Sequence, residues 1–281
     1  MEIEHHTIIR GDHHWHVVTS GSPAAPALLL LHCWTGNWKL WENLIPLLGT
    51  KFYVIAPDHL GFGQSDKPKG DHYAIDQQAE RARFILRQFG VERASVMGHS
   101  MGGQIALTFA GMYPETVERL IVVDPAVTGK MHLIARLGSQ WLNLVRWGIP
   151  FPVDVAVRLA VRFPRLGLPF ATMYFPRPNQ QREAALYWMN QLIADDQLSS
   201  AAFAEHSIST WDVTPRLAKI TAPTLAIWGT ADYCIPMSEC LVLETHIQNF
   251  RTTKIPEIGH FPMIEAWPTF KDEVVNFLGA S

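Results

Sequence analysis

The chain has 281 residues, 48% of them hydrophobic, which is enough to bury the core of one large α/β domain or of a core carrying an insertion. The formal charge of −3, with no basic run, excludes a nucleic-acid-binding surface. The three cysteines, Cys33, Cys234 and Cys240, cannot all pair internally and have no C-x-x-C spacing, so neither a disulfide framework nor a zinc site is expected. The first residues, Met1 to His6, lack a basic stretch followed by an apolar one. No apolar run reaches the roughly 20 residues of a membrane span, and together these predict a soluble cytoplasmic protein with no membrane span.

In chain order, His5–Arg10 and Trp15–Thr19 alternate as two antiparallel strands turning at Gly11-Asp12. The histidines around them (His5, His6, His13, His14, His16) suggest a metal cluster on paper. Strand neighbours point to opposite faces, so few of these side chains can converge on one ion, and no metal is expected. Ala27–Leu31 is an unbroken apolar run, the pattern of a parallel strand covered on both faces, and it leads into His32-Cys33-Trp34-Thr35-Gly36. Trp38–Leu48 reads as an amphipathic helix and Phe52–Ala56 as the next strand. A loop with glycines at Gly61 and Gly63 follows, then a helix over Ala74–Phe89, stopped by Gly90.

Ala94–Met97 is again a buried strand. It ends in Gly98-His99-Ser100-Met101-Gly102, a G-x-S-x-G match, and a helix over Ser100–Met112. A strand-to-helix turn this tight requires residues without bulk two places before and two after the serine, and it lifts the hydroxyl clear of the sheet. Leu120–Val123 is another strand, ending at Asp124-Pro125. The alternation of strands and helices predicts a mostly parallel sheet wound on both faces.

The alternation then stops. Residues 129–211 read as helical, apolar and aromatic, broken by Pro150, Pro152, Pro164, Pro169, Pro176 and Pro178. This predicts an inserted helical subdomain over a core made of residues 1–128 and 212–281. Most of its aromatic residues, Phe170 among them, must pack the insert, and a minority, with Tyr174 and Trp188 as candidates, would line an apolar pocket. The sheet resumes at Thr224–Trp228, followed by Asp232, a helix over Met237–His246, a strand over Phe250–Ile255, His260, and a closing helix over Trp267–Leu278.

A serine hydroxyl needs a base within hydrogen-bond reach, and the base needs a carboxylate to orient it. Taken singly, Asp232 is a helix cap and His260 a loop residue. Ser100, Asp232 and His260 each follow a strand of the parallel sheet, and they occur in the order Ser, Asp, His. Asp124, which also ends a strand, is a second candidate for the acid. Cys33 is a second candidate nucleophile.

These segments, together with Asp58-His59-Leu60-Gly61-Phe62-Gly63-Gln64-Ser65-Asp66, Gly229-Thr230-Ala231-Asp232 and Gly259-His260-Phe261-Pro262, resemble the α/β-hydrolase superfamily over nearly the whole chain. The likeness is to serine-nucleophile members with a helical cap, of esterase or carbon–carbon hydrolase type. It implies an α/β-hydrolase fold, with the insertion as cap. It also implies an oxyanion hole from the backbone N–H groups of Trp34 and Met101, two donors worth several kcal/mol of barrier. The family usually has Gly where this chain has Cys33, so a side chain there either narrows the loop or enters the site.

Epoxide hydrolases and haloalkane dehalogenases of this fold carry Asp at the elbow, which Ser100 replaces. The implied activity is hydrolysis of a small to medium, largely hydrophobic ester or lactone through an acyl-enzyme, with no cofactor or metal. His32, Cys33, His99, Tyr174, Trp188 and Phe261 are the candidate pocket residues. Three alternatives stand beside it: a carbon–carbon bond hydrolase, a cofactor-independent dioxygenase of a hydroxyquinolone-type heteroaromatic, and a ligand-binding receptor on the same fold. The small-molecule substrate is the one partner these readings require.

Overall fold

Buried apolar runs become the centre of a sheet. In the computed structural model, which describes residues 2–163, 165, 171–177, 180–191 and 197–279, eight strands form one sheet in the order β1-β2-β4-β3-β5-β6-β7-β8. They are β1 (Glu4–Arg10), β2 (His13–Ser20), β3 (Ala27–Leu31), β4 (Tyr53–Pro57), β5 (Ala94–His99), β6 (Val117–Val123), β7 (Thr224–Gly229) and β8 (Phe250–Ile255). β1 and β2 are antiparallel, β2 is antiparallel to β4, and β3 to β8 are mutually parallel. Every residue of β3, β4, β5 and β7 is buried, as expected for strands covered on both faces.

Two hydrophobic clusters sandwich the sheet. Leu29, Leu31, Val96 and Val122 face one, with Ile75, Ile105 and Phe109 from the helices Ile75–Gln88 and Met101–Met112. Leu28, Leu30, Met97 and Val123 face the other, with Trp41, Phe270 and Phe277, the last two from the helix Trp267–Gly279. The alternation of neighbouring strand residues between the clusters is the period-2 rule of a pleated strand.

The expected helix over Trp38–Leu48 is not continuous. A 3-10 turn at Trp38–Trp41, N-capped by Asn37, is followed by a separate turn at Ile45–Leu48. Pro46 explains the break: it has no N–H to donate, and its ring clashes with a helical carbonyl four residues earlier, so it is tolerated only in the first turn of the second piece.

Between β6 and β7 the chain leaves the sheet for a helical insertion. Among the described residues its helices are Leu133–Gln140, Leu142–Arg146, Phe151–Arg162, Arg182–Gln191 and Leu198–Thr210. Pro164, Pro169, Phe170 and Pro178 lie outside the described residues. Hydrogen bonds from two core side chains, Gln104 and Trp34, fasten the insertion to the core, and Glu239 holds the segment that leads into it. Gln104 on the helix after β5 donates to the carbonyls of Ile208 and Trp211 at 3.2 and 3.0 Å. Glu239 accepts from the backbone N–H groups of Val127 and Thr128 at 3.1 and 2.6 Å. Trp34 Nε1 donates to the carbonyl of Ala201 at 2.8 Å.

Candidate active site

Because β3, β5, β6, β7 and β8 are parallel, their carboxyl ends fall on one sheet edge. The register sets Leu31 beside Gly98, His99 beside Val123, Val123 beside Ile227 and Gly229 beside Ile255. The loops that follow these strands therefore meet, and they hold all five residues expected of the catalytic machinery.

Ser100 sits between β5 and the helix Met101–Met112 with φ +55° and ψ −115°, a conformation that side chains other than glycine rarely adopt. Its N–H donates to the carbonyl of Val123 at 2.9 Å, which ties the strained turn to β6. The flanking glycines are sterically required. A Cβ on Gly98 would lie 2.1 Å from the carbonyl oxygen of Gly102, and one on Gly102 would lie 2.2 Å from that of Leu31. The close approach of Gly102 to Leu31 and His32 also brings the start of this helix against the His32–Gly36 loop. Met101, as first helical residue, has no carbonyl four residues back within the helix, so its N–H has no intrahelical partner. Met101 and Trp34 thus belong to adjoining backbone segments.

His260 donates from Nδ1 to Asp232 Oδ2 at 2.7 Å, and both side chains are buried. The carboxylate is held in turn: Asp232 Oδ1 accepts the N–H groups of Cys234 and Ile235 at 2.7 and 3.0 Å. The loops carrying the pair touch, since a Cβ on Gly229 would lie 2.0 Å from the carbonyl oxygen of Gly259. With Nδ1 engaged, Nε2 is the ring nitrogen left to take a proton. His99 Nε2 donates to the backbone carbonyl of His260 at 2.6 Å, with the two rings 4.8 Å apart. The residue preceding Ser100 is thereby tied to the residue that would act as its base.

Asp124, the other candidate acid, has a different role. It ends β6 at φ +41°, and its Oδ1 accepts the N–H of Gly229 at 3.0 Å. Its Oδ2 is buried with no hydrogen-bond partner. Burial first, and the nearby Asp232 carboxylate second, hold this carboxyl well above the usual carboxylate range.

The pocket candidates divide. His32 is fully buried, and both its ring nitrogens are used: Nε2 accepts from the N–H of His59 at 2.8 Å, so Nδ1 carries the proton and donates to the Cys33 carbonyl at 2.7 Å. Burial lowers its basicity and keeps it neutral. It shapes the loop rather than facing a ligand. Cys33 tucks into the cluster that contains Leu40, Trp41 and Phe261, and burial pushes its thiol far up. A thiol held protonated is a poor nucleophile, which counts against Cys33 as a competitor of Ser100. Phe261 stacks between Phe175 and Trp188, each 5.0 Å away, and is buried with them. Tyr174 remains half-buried with its ring 5.8 Å from that of His260, and its carbonyl accepts the His260 N–H at 2.8 Å.

Glu265 has no place in the expectations above. It accepts the N–H groups of Gly259 and Phe261, both at 3.1 Å, and so brackets His260 on either side. Burial raises its carboxyl group above the ordinary range. The available signal was an acidic residue following Pro262 in the first turn after the histidine.

The histidines of β1 and β2 are spread over separate partners. His5 Nδ1 and His16 Nε2 lie 2.9 Å apart, His16 Nδ1 donates to Asp58, His6 pairs with Thr19 and His14 with Asp66. Among the described residues no group of three His, Cys, Asp or Glu side chains is placed to hold a metal ion.

A family model described as alpha/beta hydrolase fold matches residues 26–266, and the chain belongs to that family. It is an enzyme, a hydrolase, on the strength of that membership and of its hydrolase relatives. It is 30% identical over 272 residues to an uncharacterized protein of Mycobacterium tuberculosis, covering 91% of this chain and 76% of that one. It is 29% identical over 256 residues to the 2-hydroxy-6-oxo-6-phenylhexa-2,4-dienoate hydrolase of Comamonas testosteroni, covering 90% of this chain and 87% of that one. The solved enol-lactonase of Burkholderia xenovorans shares the fold at a TM-score of 0.80 and 20% identity, covering 98% of this chain and 100% of that one.

Proposed function

We propose that this hydrolase works through Ser100, with His260 as base and Asp232 as its orienting carboxylate, on a small to medium, largely hydrophobic ester or lactone. The observation that carries the reading is the buried 2.7 Å pair between His260 and Asp232, on the sheet edge that also bears the strained Ser100. His260 Nε2 takes the Ser100 proton as Oγ attacks the substrate carbonyl. The oxyanion is held by the N–H groups of Met101 and Trp34. Collapse expels the alcohol, which takes the proton from His260 and leaves an acyl-enzyme. Water activated by His260 then releases the acid and restores Ser100. Asp232 fixes the tautomer and stabilises the imidazolium. Residues 129–211 act as a cap, with Tyr174 beside the reacting centre. The reaction draws on no cofactor.

The test is rapid mixing with a p-nitrophenyl ester. The wild-type chain gives a burst of nitrophenol equal to the enzyme concentration, and Ser100→Ala gives none. A burst of full amplitude in Ser100→Ala sinks the proposal.

A second reading, carbon–carbon bond hydrolysis, is favoured by the relative from Comamonas testosteroni, which matches over 90% of this chain. Turnover of a coloured 6-oxo-dienoate set beside simple esters separates the two.

A further inference from the structure

Two helices of the insertion bury one face and leave a second, equally apolar face open. Among the described side chains of Leu133–Gln140, Ala135 is buried, whereas Leu133, Leu137 and the following Trp141 are each more than half exposed. At 100° per residue, Ala135 lies on the far side of the helix from Leu137. The helix Phe151–Arg162 repeats the pattern. Val153 packs inward against Leu142, Val145, Leu198 and Ala202, with Val157 beside it. Phe151, Val155, Leu159 and Phe163 recur every fourth residue along the opposite side and are all exposed. Between the two helices, Trp147 is 72% exposed, and Phe151 beyond it reaches 75%.

Single exposed apolar side chains are ordinary, but two successive stripes of Leu, Trp and Phe are not. Amphipathicity would put such residues inward, and here inward positions are already filled.

Charge says what covers this face. Lys130, Arg136, Arg162 and Arg165 are exposed in the same stretch, where Asp154, the one carboxylate, is paired with Arg158. The chain as a whole carries −3. A second copy docked face to face would set these cations against themselves, because a two-fold contact pairs a patch with itself. A surface of anionic headgroups above an apolar layer matches both features, with aromatic residues at the boundary and arginines at the phosphates. Among the described residues no helix is long and apolar enough to cross a membrane, so the face would lie on the bilayer rather than span it.

We propose that the Leu133–Trp141 and Phe151–Phe163 stripes form a docking face for the surface of an anionic phospholipid bilayer. The proposal stands independently of the role of Ser100. The full chain is floated with vesicles of phosphatidylcholine alone and of phosphatidylcholine mixed with phosphatidylglycerol. It rises with the anionic vesicles, and added salt reduces the bound fraction. Trp147→Ser with Phe151→Ser abolishes flotation while hydrolysis of a water-soluble ester is unchanged. Arg136→Gln and Arg162→Gln, tested separately, each weaken partitioning about fivefold. Absence of flotation with every vesicle, or equal flotation with both, overturns the proposal. So does light scattering that shows a dimer dissociated by the Trp147→Ser, Phe151→Ser variant.

Discussion

His99 and His260 are joined by a 2.6 Å hydrogen bond from the His99 ring to the His260 main chain, so the elbow and the loop of the base form one buried unit. Burial and the neighbouring His260 hold the His99 imidazole well below its ordinary basicity, and it donates as a neutral ring. His99→Phe keeps a ring but removes the donor, leaving a buried carbonyl unpaired. We expect about 1–3 kcal/mol of lost stability by chemical denaturation. We also expect a fall in kcat larger than any change in KM, because a displaced base affects the reaction more than binding. Unchanged kcat and stability would show that the contact does not position the base.

The glycines of the elbow offer a steric test. A Cβ on Gly102 meets the Leu31 carbonyl at 2.2 Å, and backbone cannot yield as a flexible side chain does. Gly102→Ala should destabilise by more than about 3 kcal/mol or prevent accumulation of folded protein. Gly90→Ala is the control: its φ is +70°, but nothing lies within 4 Å of the added carbon. Its cost is the left-handed backbone penalty alone, about 1–2 kcal/mol. Equal thermal shifts for the two would contradict the packing described at the elbow.

The parts of the molecule that could be read from sequence are those fixed by local pattern. Ala27–Leu31 and Thr224–Gly229 are strands because unbroken apolar runs suit a sheet covered on both faces. Ser100 and Asp232 follow such strands, and His260 follows the edge strand Phe250–Ile255, so the order Ser, Asp, His along one sheet edge was legible. Trp38–Leu48 misled because its apolar spacing is helical while Pro46 divides it. The destination of Cys33 was ambiguous because the loop alone does not determine whether a side chain points into the core or the site. Glu265, Gln104 and Glu239 went unnoticed because each acts on backbone groups distant in sequence or hidden by folding. A polar residue in a helical pattern carries no local mark of burial.

Glu265 makes a graded prediction. Glu265→Ala leaves the N–H groups of Gly259 and Phe261 without their acceptor, whereas Glu265→Gln keeps one oxygen in place. Activity and melting temperature should fall in the order wild type, Gln, Ala, with Ala losing about 2 kcal/mol or more. Neither should shift KM strongly. An alanine variant as stable and active as wild type removes Glu265 from the positioning of His260.

Asp124 predicts a pH dependence of stability. Its folded-state carboxyl is held well above the ordinary value, so above pH 4 the unfolded chain releases a proton that the folded chain retains. The contribution is fully present below the unfolded value and is lost as pH rises toward the folded one. Asp124→Asn, which cannot ionise, removes that loss. Measured between pH 4 and pH 8, the variant should gain stability relative to wild type as pH rises. A constant difference between the two across that range would mean that Asp124 is ionised in the folded protein.

The proposed mechanism makes Ser100 Oγ the nucleophile. Treatment with a fluorophosphonate, followed by intact-mass and peptide analysis, tests it directly. One adduct per chain is expected, located on Ser100, lost in Ser100→Ala and formed far more slowly in His260→Ala. An adduct elsewhere, or labelling of Ser100→Ala at the wild-type rate, would contradict it.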